Sequence, residues 1–448
     1  MSGYNSEIVG NWQGNLTVGT IKMPLTFIIK KDNKENLDVS LLSQGRKVAA
    51  NLIKFRENQL QIEFSNIGGK FEGEFQKSSQ TIPGKWYQGG QIFDIVLERT
   101  SIEVEIKRPQ EPHKPYPYIE EQVTYTNTKA NITLAGTLTY PKEGISFPAI
   151  ILISGSGALD RDETVFGHHP FLIIADYLTR HGIAVLRVDD RGIGGTSGNY
   201  LESTTNDLAS DIIAGINFLK KHKKINEKLI GLIGHSEGGV IAPLVASLTS
   251  DVAFLVLMAG PAIPLEQILY KQAQLIGKAE KLSEELLSQE SSLQKKMFSI
   301  IKEEKNNDRA RLMLENVISE ALKNMNGQDL PIISQGSIDA QIKYMISPWF
   351  RDFLSYDPRE VLRKVKCPIL AINGEKDLQV PSKENLDTIK NELRESGNKN
   401  YEVRELPNLN HLFQTTQTGA ISEYSNIEET ISPVALKLIG DWILELCS

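Results

Sequence analysis

Two hydrophobic rhythms divide the chain. Over roughly the first hundred residues the runs are short and mostly alternate apolar with polar, at Leu25–Lys30, Asn36–Leu42, Lys47–Phe55, Gln59–Ser65, Lys70–Phe75 and Ile92–Arg99. Turn residues separate them at Asp32-Asn33, Gln44-Gly45, Glu57-Asn58, Gly68-Gly69 and Pro83-Gly84. Period-two runs recurring about every ten residues predict an all-β module, either a sandwich or a small barrel. Trp12 and Trp86 read as its core aromatics.

Pro109, Pro112, Pro115 and Pro117 then crowd one short segment. Proline at that density stiffens an extended chain and excludes helix, which predicts a linker. The expected boundaries are residues 1–108 for the β module, 109–118 for the linker and 119–448 for a second domain.

Beyond the prolines the period changes. Val123–Asn127 and Asn131–Tyr140 read as a hairpin, and continuous apolar runs follow at Pro148–Ile153, Ile183–Val188, Leu229–Ile233, Phe254–Ala259 and Ile369–Asn373. Unbroken apolar runs are what strands buried on both faces require. Helical patterns lie between them at His169–His181, Thr205–His222, Glu237–Leu248 and Ser382–Arg394. Tyr401–Leu406 adds a strand and Ser432–Cys447 a closing amphipathic helix. Strand–helix alternation predicts an α/β domain with a mostly parallel, eight-stranded sheet and helices on both faces. One stretch, about residues 262–350, interrupts it with charged helical patterns such as Lys278–Lys305 and Arg309–Asn324. Its apolar spacing is too irregular for a coiled coil, so it reads as a helical insertion.

Composition narrows the classes. Forty per cent of the 448 residues are apolar and 23% charged, as in globular proteins. Lys and Arg number 49 against 56 Asp and Glu, a net charge of −7 that offers no footprint for nucleic acid or anionic lipid. The only cysteines, Cys367 and Cys447, form no CxxC pair, which argues against a disulfide scaffold and a zinc–cysteine site. No apolar run reaches the ~18–20 residues that span a bilayer. Met-Ser-Gly-Tyr carries neither a basic nor an apolar leader pattern. The expected compartment is cytoplasmic for the chain as written, and periplasmic or secreted if a leader has been removed.

The sharpest chemical signal is Gly234-His235-Ser236-Glu237-Gly238-Gly239, between the strand pattern Leu229–Ile233 and a helix. A G-x-S-x-G turn in strand–turn–helix context is a nucleophile elbow, which makes Ser236 the candidate nucleophile. A serine hydroxyl needs a base. In this topology acid and histidine follow the serine, and His411 is the only histidine downstream of it. Asp377, just past the strand Ile369–Asn373, is the candidate orienter of that histidine, with Glu375 and Asp387 as competitors. The loop Ser154-Gly155-Ser156-Gly157 should provide oxyanion contacts, through the N–H of Ser156 together with that of Glu237. Gly155 and, in the insertion, Trp349 and Phe350 are candidate substrate contacts, cap-to-core packing being the rival role for the two aromatics. His235 reads as structural. The loop Asp189–Gly198 fits no GxGxxG register and reads as a turn braced by charge pairs.

These motifs, SGSGALDRD, DDRGIGGTSG, GHSEGG, NGEKDLQVPSKEN and NLNHLF in that order, resemble the α/β-hydrolase superfamily, and within it the EstD-like bacterial carboxylesterases with an N-terminal β domain. The opening Gly10-Asn11-Trp12-Gln13-Gly14 is similar to the start of lipocalin-like barrels. The resemblance implies a Ser236–Asp377–His411 triad and a helical cap between the sixth and seventh strands of the hydrolase sheet. Ser154 stands where many lipases carry histidine. The implied activity is hydrolysis of short- to medium-chain acyl esters without metal or cofactor. Serine peptidase or acyl-transferase chemistry is the alternative on the same triad. A ligand- or glycan-binding protein with an inactive hydrolase domain is the alternative of another class. The partner implied is a small-molecule ester, with no nucleic acid and no membrane span, and a homodimer stays open.

Overall fold

The computed structural model describes residues 7–18, 21–32, 36–43, 46–64, 67–88, 91–100, 107–324 and 335–448. The expected turn positions Asn33 and Gln44-Gly45, the run end at Ser65 and the part of the insertion at 325–334 lie outside the described residues. The chain forms two compact units, residues 1–107 with 308–344, and residues 108–307 with 345–448.

In the first unit, β1 (Gly10–Val18), β2 (Ile21–Lys31), β3 (Leu37–Ser43), β4 (Arg46–Ala49), β5 (Leu52–Arg56), β6 (Gln59–Phe64), β7 (Gly69–Glu74), β8 (Thr81–Gln88) and β9 (Gln91–Thr100) form one antiparallel sheet. Its order is β4-β3-β2-β1-β9-β8-β7-β6-β5, so the two end strands are consecutive in the chain. Between them, Ala50 N–H donates to Val39 O of β3 and Asn51 N–H to Glu63 O of β6, both at 2.8 Å. Adjacent residues thus bond to opposite ends of the sheet, which curls until its edges meet. Inward-facing Trp12, Phe27, Phe64, Phe71 and Trp86 fill the interior. The run read as Lys47–Phe55 is therefore two strands broken at Ala50-Asn51.

Pro83-Gly84 is not a turn but lies inside β8, which pairs along its length with β9. The pairing of β8 with β7 ends at Gly73↔Gly84, so Pro83 sits just past that ladder, where its missing N–H leaves no bond broken.

The second unit carries an eight-stranded sheet of β10 (Tyr118–Asn127), β11 (Ile132–Pro141), β12 (Phe147–Ile153), β13 (Ala184–Val188), β14 (Ile225–His235), β15 (Phe254–Met258), β16 (Ile369–Gly374) and β17 (Tyr401–Leu406). The order is β10-β11-β13-β12-β14-β15-β16-β17. Strands β10 and β11 pair antiparallel, β11 joins β13 antiparallel, and every later pair is parallel. Every residue of β15 and β16 is buried, which explains their unbroken apolar sequence. Helices α1 (Pro170–Arg180), α2 (Thr205–Leu219) and α3 (Gly238–Leu248) connect the parallel strands. The insertion after β15 contributes α4 (Leu265–Ala279), α5 (Glu284–Glu303), α8 (Pro348–Ser355) and α9 (Arg359–Leu362) to this unit, while α6 (Asn307–Asn324) and α7 (Gln335–Met345), which lie between α5 and α8 in the chain, belong to the first unit apart from their end residues Asn307 and Met345. Helices α10 (Ser382–Glu395), α11 (Ile421–Tyr424) and α12 (Pro433–Cys447) complete the unit.

The proline-rich stretch is fastened to this second unit at its start. Arg108 donates to the carbonyls of Gly167, Ser425 and Ile427 at 3.1, 3.1 and 2.6 Å. Gln110 bonds Thr430 N–H at 2.6 Å and the Ile431 carbonyl at 2.7 Å.

The chain leaves β12 towards one side of the sheet and returns to add β14 on the other. The loops after β12 and β14 therefore flank a topological switch point, where an open α/β sheet leaves a crevice.

Candidate functional site

Ser236 sits at that switch point, one residue past β14, with φ of +53°. The left-handed conformation is strained for a side-chain-bearing residue and is held by its surroundings. Ser236 N–H donates to Met258 O at 2.9 Å and Gly239 N–H returns to Ser236 O at 2.8 Å. The turn closes only because glycine flanks it. A Cβ on Gly234 would lie 2.0 Å from Gly238 O, and one on Gly238 would lie 2.1 Å from Ile153 O. Helix α3 starts at once, so its first N–H groups and its dipole face this turn.

Asp377 and His411 come from the ends of β16 and β17. His411 Nδ1 lies 2.8 Å from Asp377 Oδ2. The other carboxylate oxygen, Oδ1, accepts from Gln379 N–H at 2.8 Å and Val380 N–H at 2.9 Å. A carboxylate so bound only accepts, so Nδ1 of the imidazole carries a proton and Nε2 is the ring nitrogen left without a bond to this pair. The two loops are also tied by backbone, with Glu375 N–H on Leu406 O and Lys376 N–H on Leu409 O, both at 2.9 Å. Gly374 lets them approach, since a Cβ there would lie 2.2 Å from Leu409 O. The competitor Glu375 instead accepts from Asn408 N–H at 2.9 Å, bracing the histidine loop. Asp387 is exposed on α10.

The histidine loop is pinned from behind. Asn410 Oδ1 accepts from the N–H groups of Leu412 and Gln414, both at 3.0 Å. Gln414 Nε2 reaches His168 Nε2 at 2.8 Å. Burial pushes His168 down to about 4, so this supporting histidine is neutral.

On the other side of Ser236, the loop after β12 is held on both sides of Ser156. Gly155 N–H donates to Glu163 Oε1 at 2.7 Å, and Gly157 N–H to the Tyr200 hydroxyl at 3.2 Å. Ser154 Oγ lies within hydrogen-bond distance of both oxygens of Asp190, at 3.1 and 2.9 Å. The glycine-rich stretch after β13 is a braced turn: Arg161 pairs with Asp189 at 2.6 Å, and Arg191 with Asp211 at 2.6 Å.

Glu237 combines the backbone role read from the motif with a side-chain role that its position did not reveal. Its backbone opens α3, and its carboxylate is buried. Trp349 Nε1–H donates to Oε1 and the Tyr200 hydroxyl to Oε2, each at 2.9 Å. Burial raises the Glu237 carboxyl above its usual range, although the donors from Trp349, Ser156 and Tyr200 pull it back. Trp349 is 1% exposed and Phe350 5%. Their rings pack on Tyr200, Phe353 and Phe298, with Trp349–Tyr200 centroids 5.5 Å apart. Trp349 thereby ties α8 to Glu237, while Phe350 packs against Phe298 of α5. Glu163 carries no local signal in the sequence, because its contact with His235 spans 72 positions.

The sheet order, the elbow after β14 and the buried Asp377–His411 pair after β16 and β17 define an α/β-hydrolase fold with a helical insertion. Residues 170–325 match the family model of the serine aminopeptidases, S33. The chain is 26% identical over 395 residues to Esterase EstD of Thermotoga maritima, covering 85% of this chain and 81% of that protein. An esterase of Pyrococcus furiosus is 17% identical, at a TM-score of 0.44 covering 76% of this chain and 96% of its own. Est1E of Butyrivibrio proteoclasticus is 16% identical, at a TM-score of 0.42 covering 73% and 98%.

Proposed function

We propose that the chain is a serine carboxylesterase that cleaves short- to medium-chain acyl esters. Ser236 Oγ attacks the ester carbonyl while Nε2 of His411 takes its proton. Asp377 fixes the imidazole tautomer and stabilises the imidazolium. The N–H groups of Ser156 and Glu237 receive the oxyanion, and His411 returns its proton to the departing alcohol. Water, deprotonated by the same imidazole, then attacks the acyl-enzyme carbonyl, releasing the carboxylic acid and restoring Ser236.

The observation that carries this reading is the 2.8 Å contact between His411 Nδ1 and Asp377 Oδ2, because a doubly anchored carboxylate leaves Nε2 as the basic nitrogen. The resemblance to an esterase over most of both chains supports ester chemistry. A second reading, hydrolysis of aminoacyl amides, draws on the match to the serine aminopeptidase family model.

Fluorophosphonate labelling and turnover of an ester series beside an aminoacyl amide test both. Ser236→Ala is expected to abolish labelling and lower kcat on the order of 10³-fold or more, with the fold intact. Near-parental ester turnover by that variant would overturn the mechanism. Faster turnover of the amide than of every ester would favour the second reading.

A further inference from the structure

His235 and Glu163 form a second acid–imidazole pair beside the proposed triad. His235 Nδ1 lies 2.9 Å from Glu163 Oε1, and its Nε2 lies 3.0 Å from the backbone carbonyl of His411. That carbonyl only accepts, so Nε2 of His235 carries a proton. The same Glu163 oxygen also accepts Gly155 N–H at 2.7 Å. One unbroken chain of hydrogen bonds thus runs from the loop before Ser156, through Glu163 and His235, to the main chain of the proposed base. All of it is interior, with Glu163 2%, His235 5% and His411 4% exposed. The His235 and His411 rings lie 4.8 Å apart, centroid to centroid. Burial alone would lower the affinity of His235 for its proton, but the Glu163 charge and hydrogen bond outweigh it, and the net shift is upward. Glu163 is also in the left-handed region, at φ +52°, and such strain persists only where the surroundings enforce it.

We propose that Glu163 and His235 are positioning residues that hold the oxyanion loop and the base loop in mutual register around Ser236. This rests on the proposed esterase mechanism and extends it. The two loops come from different crossings of the sheet, after β12 and β17, and His235 spans them because it is the residue that precedes the nucleophile. Register matters in the transition state, when the oxyanion donors and the base must act on one carbonyl together. A displacement of about 1 Å at such a site can cost on the order of 10²-fold in rate.

The test uses the full chain, a short aryl ester and a fluorophosphonate, with Ser236→Ala as the reference. Glu163→Ala and His235→Ala are each expected to lower kcat and the labelling rate about 30- to 100-fold, while KM changes less than about threefold. The double variant should fall no further than about threefold below the weaker single one, because the two residues act as a unit. Glu163→Gln keeps an oxygen that accepts from Gly155 N–H but loses the charge that faces His235 Nδ1, so it should recover about tenfold of the loss through the Gly155 contact. Near-parental kcat in both alanine variants, losses that multiply in the double variant, or an effect confined to KM would each overturn the proposal. If the alanine variants do not fold, His235→Asn and Glu163→Gln decide. Asparagine reaches Glu163 but not the His411 carbonyl, so parental kcat in His235→Asn would refute the positioning role. A parent chain that is neither labelled nor active on esters would overturn the enzyme reading itself and this inference with it.

Discussion

At the scale of single residues, the site is built on carboxyl groups whose different surroundings give them different work. Asp377 spends one oxygen on two backbone N–H groups and the other on His411. Asp190 lies 2.9 Å from Ser154 Oγ and accepts from Leu159 N–H at 2.9 Å, but burial dominates and pushes it up to about 8. The sign of the consequence follows from linkage. The native chain holds the Asp190 proton to about pH 8, whereas the unfolded chain releases it near the ordinary value of 3.8. The stability from this group is whole below that lower value and is lost as pH rises towards the higher one. Melting temperature is therefore expected to fall from pH 5 to about pH 8.5 more steeply in the parent than in Asp190→Asn. Equal slopes would mean that Asp190 is already ionised in the native protein.

At the scale of elements, α8 shows how a short helix joins the insertion to the turn that carries Ser236. Ser347 caps it, with Phe350 N–H on Ser347 Oγ at 3.2 Å, and Pro348 occupies the first turn, where no N–H is needed. Its apolar face carries Trp349, Phe350, Phe353 and Leu354 into the interior. Asp352 accepts from both the N–H and the hydroxyl of Thr205 at 2.7 Å, and Arg351 donates to Glu304 O at 2.9 Å. The helix is thereby tied to the start of α2 on one side and the end of α5 on the other. Trp349→Ala is expected to cost about 3–5 kcal/mol of stability, the usual range for losing a buried large aromatic. Trp349→Phe, which keeps much of the volume but removes a donor from buried Glu237, should cost about 1–3 kcal/mol. Denaturant unfolding beside an ester chain-length series checks both. A changed chain-length preference at unchanged stability would instead assign Trp349 to the acyl pocket.

At the scale of the whole molecule, two separate hydrophobic cores stand out among the described residues. One gathers residues from Ile8 to Leu97 inside the curled sheet, and the other runs from Ile150 to Ile443 along one face of the eight-stranded sheet. Trp12 is central to the first. Its indole donates to Ile8 O at 2.7 Å, its ring meets Phe75 edge-on at 5.7 Å, and the Arg99 guanidinium lies 4.5 Å from its centre. Trp12→Ala is expected to destabilise this unit by about 3–5 kcal/mol, seen by calorimetry as a lowered transition. An unmoved transition would mean that the curled sheet does not depend on its aromatic centre.

Much of this architecture was legible along the chain because local chemistry dictates it. Strands buried on both faces must be apolar throughout, so β12, β15 and β16 announced themselves, and the glycines of the elbow are demanded by a turn no Cβ would fit. The candidates Asp377 and His411 were read from the order of the strands, and folding brings Nδ1 of His411 within 2.8 Å of Asp377 Oδ2. What the chain could not reveal depended on partners brought together only by folding. Pro83 resembles a turn until the end of the β7 ladder shows that its missing N–H costs no bond there. Ala50-Asn51 resembles the middle of one strand until sheet curvature directs its two N–H groups to opposite edges. Glu163 meets His235 across 72 positions, and Trp349 meets Glu237 across 112. Buried polar groups need partners wherever the fold brings them. Local pattern specified the elements and the order of the candidate residues, while tertiary packing decided which carboxylates brace the loops around Ser236.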